Sequence, residues 1–347
     1  MLKQITIELL IVSFFIISCT KSNKHGKVIT LAGGGQMGKN DGQGDRATLA
    51  NPIGITIDKD GNLIIADALN NLIRKVSNNG IVSTIAGNGE QGKNDGLALA
   101  SSFFYPAALT TDINGNIFIA DTHNNLIRKI NSKGNVTTLL GINEKYEDYG
   151  GKFPLLDYPS GIAVDKIGNI YIADSFHNKI RKLAPNGSLS IIAGNGAAGN
   201  EDGIGNSATF YIPEGLAFDS KGNLYVADTF NNMIRKISAD GKVITLAGQK
   251  KKGLINGPGK TAAFLHPTSL AIDKNDNIYV TDTGNQVIRK ISSDGMVSTF
   301  AGNHKRGFIN GDLKSSSFFK PMGIAIDHDG CLYITDFENN SIRKIIL

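Results

Sequence analysis

The chain has 347 residues, 41% of them hydrophobic and 7% aromatic, enough for a packed core and too much for global disorder. Glycine, at 41 residues against nine prolines, indicates many tight turns and excludes a collagen or a proline-rich linker. The net charge of +5 is spread evenly along the chain, which argues against a nucleic-acid surface, and two cysteines exclude a disulfide-stapled scaffold.

The first residues differ from the rest. An apolar run from Leu9 to Ile17 is too short for a stable membrane anchor and suits the core of a secretory signal. It ends in Ile16-Ile17-Ser18-Cys19, which resembles the cleavage site of bacterial lipoproteins. Glu8 departs from the basic start usual in such leaders. The resemblance implies a signal peptide over 1–18, a lipidated Cys19 and a polar tether over 19–26. Acyl chains on Cys19 would hold the protein at a membrane of the bacterial cell envelope, facing the periplasm or the cell surface.

After the tether comes KVITLAG (27–33), which has the alternation of a β-strand. Six units of about 54 residues follow. Asp67, Asp121, Asp174, Asp228, Asp282 and Asp336 keep step with Arg74, Arg128, Arg181, Arg235, Arg289 and Arg343. The prolines at 52, 106, 159, 213, 267 and 321 share the spacing. Within the first unit, GITID (54–58), NLIIAD (62–67), LIRKV (72–76) and VSTIAG (82–87) read as four short strands separated by Gly, Asn and Asp turns. Four antiparallel strands per repeat is the pattern of a β-propeller blade. The last unit stops at IRKIIL and lacks its fourth strand. Residues 27–32 supply it, so the expected fold is an all-β, six-bladed propeller over 27–347, closed by its N-terminal strand. Closure also removes an exposed sheet edge.

The phrase P-x-G-[IL]-A-x-D-x-x-G-N-[IL]-[YF]-[IV]-A-D-x-x-N-N-x-I-R-K resembles the NHL repeat, and six copies cover nearly all of residues 27–347. The resemblance implies a six-bladed propeller and says much less about activity, because the family holds binding scaffolds and its relatives include enzymes.

The repeated Asp and Arg are expected to be structural. Strand parity puts Asp67 and Arg74 on one face among apolar residues, where an arginine needs a carboxylate or carbonyl partner. A catalytic centre needs broken symmetry. DKDGN (58–62) hints at a calcium loop, but its flanking strands make it a β-turn. Leu49, Phe103, Leu156, Phe210, Phe264 and Phe318, each three before a proline, are expected to plug the grooves between blades.

Strand order places the loops between second and third strands, and the long connections between blades, on one rim. Function is expected there, at the mouth of the central channel. The connection NEKYEDYGG (143–151) brings Tyr146 and Tyr149, and another brings Lys250-Lys251-Lys252. The position two after the repeated Asp varies, giving His123, Phe176, Phe230 and Glu338 among others. Between Pro and Gly the only charge is Glu214, with His266 close by on the next blade. These are the ligand-binding candidates. No nucleophile–base pair or multi-histidine spacing stands out, so no catalytic residue, metal ligand or cofactor is assigned. Glu214, His123, His177 and His266 could still contribute to a divalent metal site near the channel. The leading expectation is a monomeric, lipid-anchored, non-enzymatic module that binds a protein, peptide or glycan, and no nucleic acid. The alternative is a metal-assisted hydrolase or lyase of the lactonase or amidoglycolate-lyase kind.

Overall fold

A computed structural model describes residues 26–141 and 155–347. The expected leader, Cys19, most of the tether, Tyr146 and Tyr149 lie outside the described residues. Six antiparallel sheets are arranged as the blades of a ring. Blade 1 runs from an innermost strand Pro52–Ile57 through Leu63–Asp67 and Leu72–Val76 to Ile81–Ala86. The other blades repeat this order. Where each blade's second strand ends, the chain turns through a short segment. In blade 1 this is a single 3-10 turn, Ala68–Asn70, closed by Asn71 in the left-handed conformation. Asparagine tolerates that conformation better than most residues.

The ring closes as expected. Lys27–Ala32 pairs with Ser341–Ile346 of blade 6, with Val28 opposite Ile345 and Thr30 opposite Arg343. Its register shift between Thr30 and Ala32 matches the shift between Ile73 and Arg74 where the outer strand of blade 1 pairs. The N-terminal strand is therefore a true copy of the missing fourth strand.

One count differs from expectation. Five of the six sheets carry a fifth, two-residue strand, such as Gly42–Gln43 beside Ile81–Ala86. In these five blades a glycine-containing stretch of the preceding connection folds back along the outer edge. The added strand shortens the free edge that a four-stranded blade would leave.

No single core fills the ring. Six separate apolar clusters lie between neighbouring blades. Phe103 sits fully buried between Ile73 of blade 1 and Ile119 of blade 2. Leu49, Leu156, Phe210, Phe264 and Phe318 are equally buried in the corresponding grooves. The plugging role expected of them is what the packing shows.

The repeated Asp and Arg form fully buried ion pairs. Arg235 donates from Nη1 to Asp228 Oδ2 at 2.7 Å, and both side chains are 0% exposed. Its Nη2 reaches Asp202 and the carbonyl of Glu201 in the preceding connection. Asp228 Oδ1 accepts the backbone N–H of Tyr211 at 2.8 Å, and Oδ2 accepts Asn231. The turn aspartates cap their own loops: Asp58 accepts the backbone N–H groups of Asp60 and Asn62.

Removing one member of such a buried pair leaves an uncompensated charge. Asp228→Ala is expected to cost about 3–5 kcal/mol in chemical denaturation. Asp60→Ala, which removes only the exposed pair with Lys59, is expected to leave the denaturation midpoint unchanged.

Candidate functional site

The six innermost strands surround a central channel of about 420 Å³. They approach so closely that a Cβ on Gly161 would lie 1.8 Å from the carbonyl oxygen of Glu214 on the next blade. Glycine at this point lets the strands converge and sets the width of the channel mouth.

The residues immediately before the six prolines form the mouth. Asn51, Tyr105, Tyr158, Ile212, His266 and Lys320 all have positive φ, between 48° and 56°. That conformation is costly for a non-glycine residue, most of all for β-branched Ile212. A latch from the preceding blade offsets the cost. The residue four after each repeated Asp, itself left-handed, accepts the backbone N–H of the kinked residue through its side-chain oxygen. Asn71 holds Tyr105 at 2.9 Å, Asn125 holds Tyr158 at 2.8 Å, Asn232 holds His266 at 2.9 Å and Gln286 holds Lys320 at 2.6 Å. Of these side chains, Tyr105 and Tyr158 line the channel, and His266 and Lys320 line the recess beside it. Of the six, sequence reasoning singled out only His266. The five others are of four residue types, and a residue before proline ordinarily prefers extended backbone, so no local signal marks them.

These side chains meet the variable loop residues. The His123 ring stacks on Tyr105 at 4.4 Å with 14° between planes, and meets Tyr158 at 5.5 Å. Tyr158 stacks on Phe176 at 4.6 Å and 7°. A second group joins Tyr211, Phe230 and His266, with Phe230 and His266 stacked at 5.1 Å. Blade 6 is charged instead: Lys320 pairs with Glu338 at 2.7 Å, and Arg306 lies over the Phe319 ring. The rim is thus aromatic across blades 2 to 5 and ionic at blade 6. The structure brings His123, Phe176, Phe230, His266 and Glu338 to the rim, as the strand order implied.

Glu214 lies just inside. With Ile53, Ala107, Ser160, Thr268 and Met322 it lines the channel. With Phe230, His266, Thr268, Arg306 and Lys320 it lines an adjoining recess of about 310 Å³. The Ser160 hydroxyl is taken by Ser175, and Thr268 donates to the Met322 carbonyl. Among the described residues no hydrogen bond reaches the Glu214 carboxyl. The residue is half-buried, between the channel and the recess. Desolvation pushes its pKa up to about 8. Burial also lifts Tyr105 to about 12, with Tyr158, Glu214 and Glu338 adding to the rise. It lifts Tyr158 as well, again helped by Glu214. Burial holds His123 and His266 below the usual histidine range, Lys252 lowering His266 further.

The four residues considered for a metal do not converge. His177 Nδ1 bonds Asp174 at 2.8 Å, filling the place of Asn231 on Asp228, so it belongs to the blade scaffold. Among the described residues no group of three His, Cys, Asp or Glu side chains is arranged to hold a metal ion.

The model of the NHL repeat matches residues 210–236 and 264–291, and that of the teneurin NHL domain matches 32–95. The chain belongs to the NHL-repeat family. This NHL-repeat chain is 31% identical to the Arabidopsis thaliana protein SUPPRESSOR OF QUENCHING 1, chloroplastic, over 76% of its own length and 27% of that protein. It is 29% identical to NHL repeat-containing protein 2 of Gallus gallus, over 84% of its length and 46% of that protein. It therefore spans between about a quarter and a half of these relatives. Among solved structures, an auxiliary nutrient binding protein from Bacteroides thetaiotaomicron superposes with TM-score 0.71 at 18% identity, covering 92% of this chain and 76% of that one. A gluconolactonase from Xanthomonas campestris gives 0.61 at 15% identity, covering 93% and 90%. At such identities the likeness is one of fold.

Glu214 gives this NHL propeller a pH signature. Its carboxyl is protonated in the folded ring up to about pH 8, whereas in the unfolded chain it ionises near 4.3. The stability it contributes is complete below pH 4 and is lost as pH rises through 8. Against Glu214→Gln, the wild-type protein is expected to lose on the order of 2–4 kcal/mol between pH 5 and pH 9, after allowance for channel water. Urea denaturation of both proteins at the two pH values measures this.

Proposed function

We propose that the protein is a binding module that captures a peptide, protein or glycan at the channel mouth. The observation that carries this reading is the line of stacked rings at the mouth, Tyr105, His123, Tyr158 and Phe176. Phe176 and Phe230 leave 51% and 42% of their surface in water, an exposure of aromatic area that costs free energy unless a partner covers it. The flat faces suit a sugar ring or an extended peptide. The Bacteroides thetaiotaomicron neighbour is an auxiliary nutrient binding protein, and a binding role for the present ring is in keeping with that.

The leader belongs to the same proposal. Lipidation at Cys19 would hold the ring at a membrane of the bacterial envelope. Cys19→Ala is then expected to move the protein from the membrane fraction to the soluble fraction.

A hydrolase or lyase is the second reading, favoured by one observation: Glu214, lifted to about 8, shares a recess with His266. A carboxyl poised near neutral pH and beside an imidazole can act as a general acid or base. Stoichiometric divalent metal in the purified protein, lost on Glu214→Ala, would favour this reading over the first.

For the binding reading, a screen of peptides and glycans should return a ligand whose affinity falls at least about fivefold on Tyr158→Ala, the loss of about 1–3 kcal/mol expected for one stacked ring. Replacing Lys250, Lys251 and Lys252 together tests the adjoining connection. A ligand insensitive to both changes would place the working surface elsewhere.

A further inference from the structure

The Glu214 carboxyl has a setting that the binding reading leaves unused. It is the one charged side chain among the six that follow the prolines, and none of the hydrogen bonds among the described residues ends on it. Proteins seldom keep an unpaired carboxyl in so enclosed a place, because removing it from water is costly and a partner would repay part of the cost. The phenols of Tyr105 and Tyr158 interact with it electrostatically without bonding to it. Around it stand the rings of Tyr105 and Tyr158 on one side and Phe230 and His266 on the other. The face of an aromatic ring is electronegative and attracts a cation.

We infer that the channel mouth selects ligands bearing an organic cation, with an ammonium or guanidinium head entering the channel to pair with Glu214 inside a collar formed by Tyr105, Tyr158, Phe230 and His266. This rests on the reading that the mouth binds a ligand, and it narrows the class. A peptide with a basic side chain or a free amino terminus fits; a neutral glycan does not use the carboxylate. A metal ion fits poorly, because one carboxylate and two phenols fall short of the six to eight oxygens that calcium takes. The positive groups of the recess do not fill the site themselves. Lys320 is paired with Glu338 at 2.7 Å, and Arg306 lies over Phe319 at 5.4 Å.

The pairing requires an ionised carboxyl, so binding expels the proton that Glu214 carries below about pH 8. Of the groups facing it, Tyr105 and Tyr158 are raised and stay neutral, and His123 and His266 are lowered and stay neutral above pH 6.5. Lys320 and Arg306 also line the recess, Glu338 is paired with Lys320, and Lys252 lies near His266. The pH dependence between 6.5 and 8 therefore belongs to Glu214.

Calorimetric titration of the full-length protein in detergent tests this with two probes. N-acetyl-arginine amide is cationic, and N-acetyl-citrulline amide is its uncharged analogue of nearly equal shape. At pH 8 the arginine probe is expected to bind at least tenfold more tightly, and this preference should fall by up to about tenfold for each pH unit below 8. It should vanish in Glu214→Gln, whose folding is checked by its thermal transition. At pH 7, heats measured in two buffers of different ionisation enthalpy should show close to one proton released for each arginine probe bound. Equal affinities for the two probes, a preference that survives Glu214→Gln, or no saturable binding of the arginine probe at millimolar concentration would each overturn the inference. The two readings fail differently. A screened ligand that is lost on Tyr158→Ala but unaffected by Glu214→Gln keeps the mouth and removes the cation. A ligand unaffected by either change removes the mouth as well.

Discussion

A guanidinium shut away from water organises each blade. Arg235 touches the end of the second strand through Asp228, the preceding connection through the Glu201 carbonyl, and the fold-back segment through Asp202. Asp202 in turn accepts the Thr245 hydroxyl of the outer strand. One side chain thereby ties together parts of the blade that share few backbone bonds. A lysine could not do this, because the contacts need a planar fork of donors spread over several acceptors. Burying the charge is costly, and the attraction within the pair recovers the cost only while every contact is made. The gain lies in geometry: the loop between second and third strands is held at a fixed height above the sheet. Every feature of the rim is built on that height.

Order then passes from blade to blade. The loop fixed by the arginine ends in an asparagine or glutamine whose side-chain oxygen holds the kinked residue of the next blade. Around the ring, Asn340 of blade 6 holds Asn51 of blade 1, so the latch closes on itself as the sheets do. Because scaffold and latch repeat six times, the mouth is a frame of six equivalent positions. Its chemistry depends only on which side chains occupy them. Tyrosine, histidine, isoleucine, asparagine and lysine all stand at the same left-handed position, because the latch rather than the residue's own preference maintains it.

This separation explains what could be read in the sequence. Strands, ring closure and buried ion pairs come from patterns repeated six times, and repetition makes a weak local signal legible. Asp228 and Arg235 were legible as structural because strand parity places them on an apolar face. The groove plugs were legible because Phe103, Phe210, Phe264 and Phe318 keep their distance from the prolines. The rim residues two after each Asp were legible as variable. What stayed hidden depends on contacts far apart in the chain. Nothing about Tyr105 or Tyr158 signals a positive φ, since the cause is an asparagine 33 or 34 residues earlier. The stacking of His123 on Tyr105, and the fold-back of Gly42–Gln43 along the outer edge, have the same kind of origin. His177 was misleading for the opposite reason: a residue prone to bind metal stands where a scaffold asparagine stands in other blades.

Glu214 is where the two levels meet. Five blades place uncharged side chains at its position, so the fold does not require an acid there. The glutamate carries a desolvation cost that alanine, serine or isoleucine avoids, and within the described protein no hydrogen bond offsets it. Departures from local consistency of this kind are tolerated where a ligand supplies the missing partner. A partly desolvated carboxyl also discriminates better than a stacked ring. An aromatic face accepts many flat or cationic groups, whereas a carboxylate left without a counter-charge penalises every ligand that fails to provide one. The rings would then supply area and the single acid the choice among ligands, a division of labour that needs only one broken position in a sixfold frame.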